Sequence, residues 1–246
     1  MINDAQGAST LTDHLAELRD RLIRSAWALA ICTCACWYFN EQIFNFVRAP
    51  IMPFLDNHGL IFTGPMDKFI AQLKVAVMAG AILSCPIWLY QLWMFVAPGL
   101  YTHERKYSAM FISAGTILFL AGVAFVYYLV MPMAFKFLFS VGGTTDKPMI
   151  SIKEYMSFFT TMTLVFGAAF ELPLVITLLG VIGVVDQKFL REKRRFAIVG
   201  LAVLCAIITP PDLLSMLMLL GPMWFLYEIS IIIVGLVERK KASASQ

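Results

Sequence analysis

The stretch Ala109–Pro132, AMFISAGTILFLAGVAFVYYLVMP, runs without a charged residue, and Arg105 and Lys106 precede it. Such a run reads as a helix crossing a bilayer, whose hydrocarbon core is about 30 Å thick. Working outward, charges and prolines cut the 246-residue chain into five more apolar stretches, at about 22–40, 75–97, 156–182, 196–209 and 213–236. Composition agrees: 60% of residues are hydrophobic and 14% charged, against roughly 45–50% and about 25% in soluble domains. Mean hydropathy is +0.78. A soluble globular domain is excluded, and so is disorder, because apolar residues are abundant. The chain reads as an all-α integral membrane protein with six transmembrane helices. It forms a single membrane domain over 1–246: an N-terminal segment 1–21, a bundle 22–237 and a tail 238–246.

The 196–209 stretch has 14 residues, about 21 Å at 1.5 Å per residue. A basic cluster on one side and Pro210–Pro211 on the other favour a short spanning helix that thins the bilayer locally. It must form a tight hairpin with the last stretch. Lys and Arg bias sets orientation. The N-terminal segment, second and fourth loops and C-terminal tail carry 13 of them, against 6 in the longer first, third and fifth loops. Both termini are therefore expected in the cytoplasm, and an even number of spans agrees. The first apolar run reads as a retained span rather than a cleaved leader. In the long first loop, about 41–74, Ile43, Phe46 and Val47 recur at helical spacing and predict a short amphipathic helix before Pro50 and Pro53. No internal repeat is visible.

Enzyme signatures are missing: no phosphate-binding glycine loop, no His-Glu-x-x-His and no Gly-x-Ser-x-Gly. The five cysteines lie in apolar runs and read as small buried side chains, not as a disulfide framework or metal site. No cofactor, metal or nucleic acid is expected. Two charged motifs fall on the cytoplasmic side. HLAELRDRL (His14–Leu22) contains Glu17, Arg19, Asp20 and Arg21, and APGLYTHERK (Ala97–Lys106) contains Glu104 and Arg105. Their plain reading is helix entry and restart, with Glu17 and Arg21 as an i, i+4 pair. Their functional reading is two carboxylates, Glu17 and Glu104, facing an arginine-bearing ligand, since carboxylates take bidentate bonds from guanidinium groups. Arg19 or Arg105 could equally satisfy them internally. Glu171 sits inside an apolar stretch ahead of Pro173. A carboxylate there costs several kcal/mol unless neutral, paired or hydrated, so it is a functional candidate: a proton relay, a ligand contact or a docking point for a partner helix. Its plain reading is a protonated Glu bonded to helix backbone. Asp212 caps the last helix in the plain reading, and Glu228 reads as a solvated interfacial charge.

HLAELRDRL, PIWLYQLWMFVAPGLYTHERK (Pro86–Lys106), FGAAFELPL (Phe166–Leu174) and TPPD (Thr209–Asp212) together resemble TatC, the core receptor family of the twin-arginine protein translocase. The resemblance runs from about residue 11 to 237. It implies a membrane receptor for twin-arginine signal peptides on folded cargo proteins. It also implies assembly into an oligomeric complex with single-span TatA-type and TatB-type subunits, and export driven by the proton-motive force. The implied fold is a concave, glove-like bundle with short fifth and sixth helices, and the implied location is a bacterial inner membrane. By motif, Glu17, Arg19, Phe95 and Glu104 would bind the signal peptide. Glu171 and Thr209 would meet partner subunits within the membrane, and Pro50 and Asp212 would matter on the outer face. Two positions depart from the family pattern: Asp20 stands where the family often has a basic residue and makes the cytoplasmic patch more acidic, and Met216 stands where some members carry a polar residue near the partner groove, which would shift contacts there to Ser215. The competing class is a proton-coupled small-molecule transporter using Glu171; an intramembrane enzyme lacks a nucleophile or metal set.

Overall fold

The computed structural model describes residues 3–55, 59–96, 108–141, 149–208 and 213–244, with side chains described over 15–55, 59–95, 109–140, 149–207 and 216–239. Three helical runs are long and apolar enough to cross a membrane: Ala109–Ser140, Ile152–Ile182 and Met216–Arg239. Two bent pairs, Leu15–Tyr38 with Asn40–Arg48 and Asp67–Leu83 with Cys85–Phe95, bring the number to five if each is one span. Within these three runs, 22, 28 and 39% of the most apolar window is buried by the rest of the chain. The remaining apolar surface therefore needs lipid or partner helices.

The chain opens with α1 (Asn3–Tyr38) and turns by 84° into α2 (Asn40–Arg48). The amphipathic helix expected there is present, but its buried face is Asn40, Phe44 and Val47. Phe46 instead stacks on Tyr127, ring centroids 4.3 Å apart. The end of a helix leaves carbonyls without intrahelical donors. Here the Tyr127 hydroxyl donates to the Phe46 carbonyl at 3.1 Å and the Tyr155 hydroxyl to that of Val47 at 2.5 Å. Pro50 follows within a turn that leads to a 3-10 turn at Met52–Phe54.

The second span starts earlier than the sequence reading placed it. It comprises α3 (Asp67–Leu83) and α4 (Cys85–Val96), bent by 56°. Pro86 has no N–H to donate into the preceding turn, and the break falls at Ser84. The third span also runs on beyond Pro132. It comprises α5 (Ser108–Phe125), a π-helical turn Val126–Val130, and α6 (Met131–Val141). The wider turn, closed by Met131 N–H on the Val126 carbonyl, lies just ahead of Pro132 and accommodates its missing donor. The fourth span joins α7 (Ile152–Phe170) to α8 (Leu172–Ile182). Then come α9 (Gln187–Glu192), α10 (Arg194–Ile208) and α11 (Leu213–Ala244). With 15 residues, α10 is short, as expected. The last helix is not: α11 has 32 residues, because the helical register continues through the charged tail.

The core lies where α7 meets α3, α5 and the π turn, around Met131, Met156 and Phe166, all essentially inaccessible. Between membrane helices, packing at close approach does what burial from water does in soluble cores. Gly122 permits such an approach, since a Cβ there would sit 2.6 Å from the Phe166 carbonyl oxygen. At the α2 end, the segment before α3 is tied to the start of α7. Ile61 N–H donates to the Ile150 carbonyl at 3.1 Å, and Ile152 N–H donates to that of Ile61 at 2.9 Å. Thr63 donates its hydroxyl to Asp67 at 2.6 Å, and Lys153 lies 3.7 Å from the same carboxylate.

Candidate functional site

Helix α1 runs antiparallel to α3: Trp37 meets Phe69 edge-on, ring centroids 6.0 Å apart, and Gly80 lies against Thr33. The start of α1 and the end of α4 therefore lie toward one end of the bundle. Glu104, Thr209 and Asp212 lie outside the described residues.

Glu17 is half-buried on α1, and Arg21, one turn on, donates both Nε, at 3.0 Å, and Nη2 to its Oε1. Oε2 has no partner among the described residues. Internal satisfaction thus comes from Arg21 rather than Arg19. Arg19 is exposed and donates to Asp20 at 3.1 and 3.2 Å, so the acidic departure at Asp20 is locally neutralised. The result is a carboxylate held by one guanidinium on one oxygen, the other free of partners among the described residues. Phe95 is half-buried near the end of α4 and itself makes contacts.

Glu171 occupies the junction of α7 and α8. Pro173 cannot donate to the turn before it and its ring crowds the carbonyl four residues back, so the helix breaks at Glu171. The side chain is buried, and both carboxylate oxygens lack a hydrogen-bond partner among the described residues. The expected bond to helix backbone is absent there. Glu171 lines a cavity of about 190 Å³ with Trp88, Leu92 and Trp93 of α4, Phe111 of α5 and Leu178 of α8. A Cβ on Gly115 would come within 3.2 Å of Glu171 Oε2, so that glycine lets α5 pack against the carboxyl. An unpaired carboxyl in such walls is stable when protonated or bonded to an incoming donor. The cavity thus offers apolar surface, aliphatic with three aromatic rings, and a single acceptor group.

Pro50 is half-buried in the turn after α2. Met216 is half-buried on α11 and packs against the core. Sequence reasoning missed the tie between α9 and α11. Asp186 accepts from Phe189 N–H at 2.6 Å, Gln187 N–H donates to Glu238 at 2.8 Å, and the Tyr227 hydroxyl donates to the Leu190 carbonyl at 2.8 Å. Arg194 donates to Glu228 at 2.7 Å, so Glu228 is paired rather than simply solvated. The only sequence signal for this tie was Asp186 three residues ahead of Phe189, an N-cap spacing.

Comparison with known proteins gives one consistent picture. A family model described as Sec-independent protein translocase protein (TatC) matches residues 13–222. The TatC of Desulforapulum autotrophicum is 39% identical over 236 residues, covering 96% of this chain and 87% of that protein. The TatC of Magnetococcus marinus is 39% identical over 240 residues, covering 97% and 89%. A crystal structure of the twin arginine translocase receptor TatC superimposes with a TM-score of 0.81 at 35% identity, covering 90% of this chain and 97% of that one.

Proposed function

The chain belongs to the TatC family of Sec-independent protein translocases, and from that premise we propose that it is the membrane receptor for twin-arginine signal peptides. It is a translocase component and not an enzyme. The observation that supports the reading is Glu17: Arg21 holds its Oε1, and Oε2 has no partner among the described residues. A guanidinium entering beside it finds a fixed acceptor at the membrane surface, and Glu104 supplies the second. Phe95, at the same end, lines the approach together with Arg19. The apolar part of the signal peptide follows along the helices. The single membrane domain spans the bilayer six times with both termini in the cytoplasm, as the Lys and Arg bias requires, in a bacterial inner membrane.

The Glu171 cavity then serves the assembled complex. A single-span TatA-type or TatB-type helix brings a polar side chain to the unpaired carboxyl, while Thr209 extends the same contact. Pro50 and Asp212 shape the outer turns. The proton-motive force drives export of folded cargo, with no nucleotide. A small-molecule transporter would use Glu171 but leave the Glu17 arrangement without a role.

The test is binding of a labelled signal peptide to the purified chain in nanodiscs. An Arg-Arg peptide should bind, and a Lys-Lys peptide should bind about tenfold or more weakly, because lysine keeps the charge but loses the planar fork. Glu17→Gln with Glu104→Gln should abolish the difference. Equal binding of both peptides to the unaltered chain would overturn the receptor site.

A further inference from the structure

At the α2 end of the bundle, Arg48, the last residue of α2, and Lys68, the second of α3, line one cavity of about 220 Å³. Its other walls include Phe44, Leu60, Phe62 and Ile152. Neither cation has an ion-pair partner among the described residues. The neighbouring carboxylate is already engaged, since Asp67 accepts from Thr63 and pairs with Lys153 at 3.7 Å. Lys74 is engaged too, donating to Ser157 at 2.6 Å. Two positive charges therefore face a space that is otherwise mostly apolar.

The depth of this space follows from the helix geometry. Because α2 leaves α1 at 84°, it runs roughly along the membrane surface at the level where α1 emerges. Trp37, Tyr38, Phe62 and Phe69 are exposed around it, as aromatic side chains are at the headgroup level. A ligand matching both features joins an oxyanion to hydrocarbon. A free inorganic anion would satisfy Arg48 and Lys68 and leave Phe44, Leu60, Phe62 and Ile152 uncovered.

We propose that this cavity binds an anionic phospholipid, its phosphate between Arg48 and Lys68 and its glycerol and first methylenes on the apolar walls. The site is separate from Glu17 and Glu171 and does not depend on their roles. It ties α2 and the segment before α3 to one lipid molecule.

The experiment uses the full chain in nanodiscs of phosphatidylcholine with a minor fraction of photoreactive phosphatidylglycerol, its diazirine close to the glycerol. Adducts are mapped by peptide mass spectrometry. Adducts are expected on the 44–68 segment, and Arg48→Gln or Lys68→Gln should each lower them about fivefold, the effect of one cation near an anionic headgroup. Adducts near the exposed basic residues Lys188, Arg191 and Lys193 should stay unchanged, which shows that the variant is folded. If a variant loses those as well, Arg48→Lys and Lys68→Arg decide: retained labelling supports the site and lost labelling overturns it. Unchanged 44–68 adducts in both glutamine variants would overturn the proposal. So would equal labelling by photoreactive phosphatidylcholine, or full displacement by millimolar inorganic phosphate, which would assign the cations to a soluble anion.

Discussion

Glu17 and Glu171 are both carboxylates in a membrane protein, yet their surroundings give them opposite tasks. Glu17 lies in a partly hydrated place with a guanidinium one helical turn away, and its second oxygen has no partner among the described residues. Such a group recognises a second cation without a large desolvation penalty. Glu171 has no donor among the described residues and is walled by tryptophan, phenylalanine and leucine. Leaving a buried polar group unsatisfied costs about 1–3 kcal/mol. Glu171→Leu should therefore raise the thermal stability of the isolated protein by an amount in that range while abolishing export in cells. Glu171→Gln, which keeps a polar group of the same shape, should leave stability nearly unchanged. Thermal unfolding in detergent checks both. A Glu171→Leu variant as unstable as a truncated core residue would mean that the carboxyl already has a bonded partner in the resting chain.

The elements are set by where prolines and unpaired carbonyls fall. Pro86, Pro132 and Pro173 each remove a donor, and the chain answers with a bend, a π turn and a helix junction in turn. The junction at Pro173 is what aims Glu171 into its cavity. Helix α2 is held differently, by tyrosine hydroxyls on its last carbonyls. Tyr155→Phe removes the buried one of these bonds and should cost about 1–3 kcal/mol, since the Val47 carbonyl has no water to turn to. Tyr127→Phe removes a longer and more exposed bond and should cost less, under about 1 kcal/mol. Unfolding of the two variants side by side measures this, and equal small losses would count against the capping role. The proline positions were legible in sequence. The capping tyrosines were not, because Tyr155 lies 108 residues from the carbonyl it serves, and no local pattern records that pairing.

For the whole molecule, orientation decides whether the proposed sites face the right compartments. The basic cluster Lys188–Arg195 and the Glu17 motif belong to the cytoplasm in the proposed topology, and α2 to the opposite surface. A membrane-impermeant maleimide added outside spheroplasts should label Gln42→Cys and leave Arg191→Cys unlabelled until the membrane is broken. The reverse pattern would invert the topology and remove the signal-peptide reading. Of the five cysteines, expected to be buried, Cys36, Cys85 and Cys205 are, but Cys34 is exposed and Cys32 half-buried, so both are replaced by serine before the labelling.

Sequence by itself determined the class of the protein, its apolar runs and the motifs that name its family. These depend on local composition and spacing: an uncharged run such as Ala109–Pro132 has no stable place but lipid, and a short run stays short, as α10 does. Tertiary structure decided what each motif can do. Only packing shows that Glu171 has no partner among the described residues and lines an apolar cavity, that Phe46 turns from the core to stack on Tyr127, and that Arg48 and Lys68 share one space. Each of these depends on which side chains from distant segments meet, and in a bundle of nearly uniform apolar helices that is set by close shape complementarity rather than by the hydrophobic pattern.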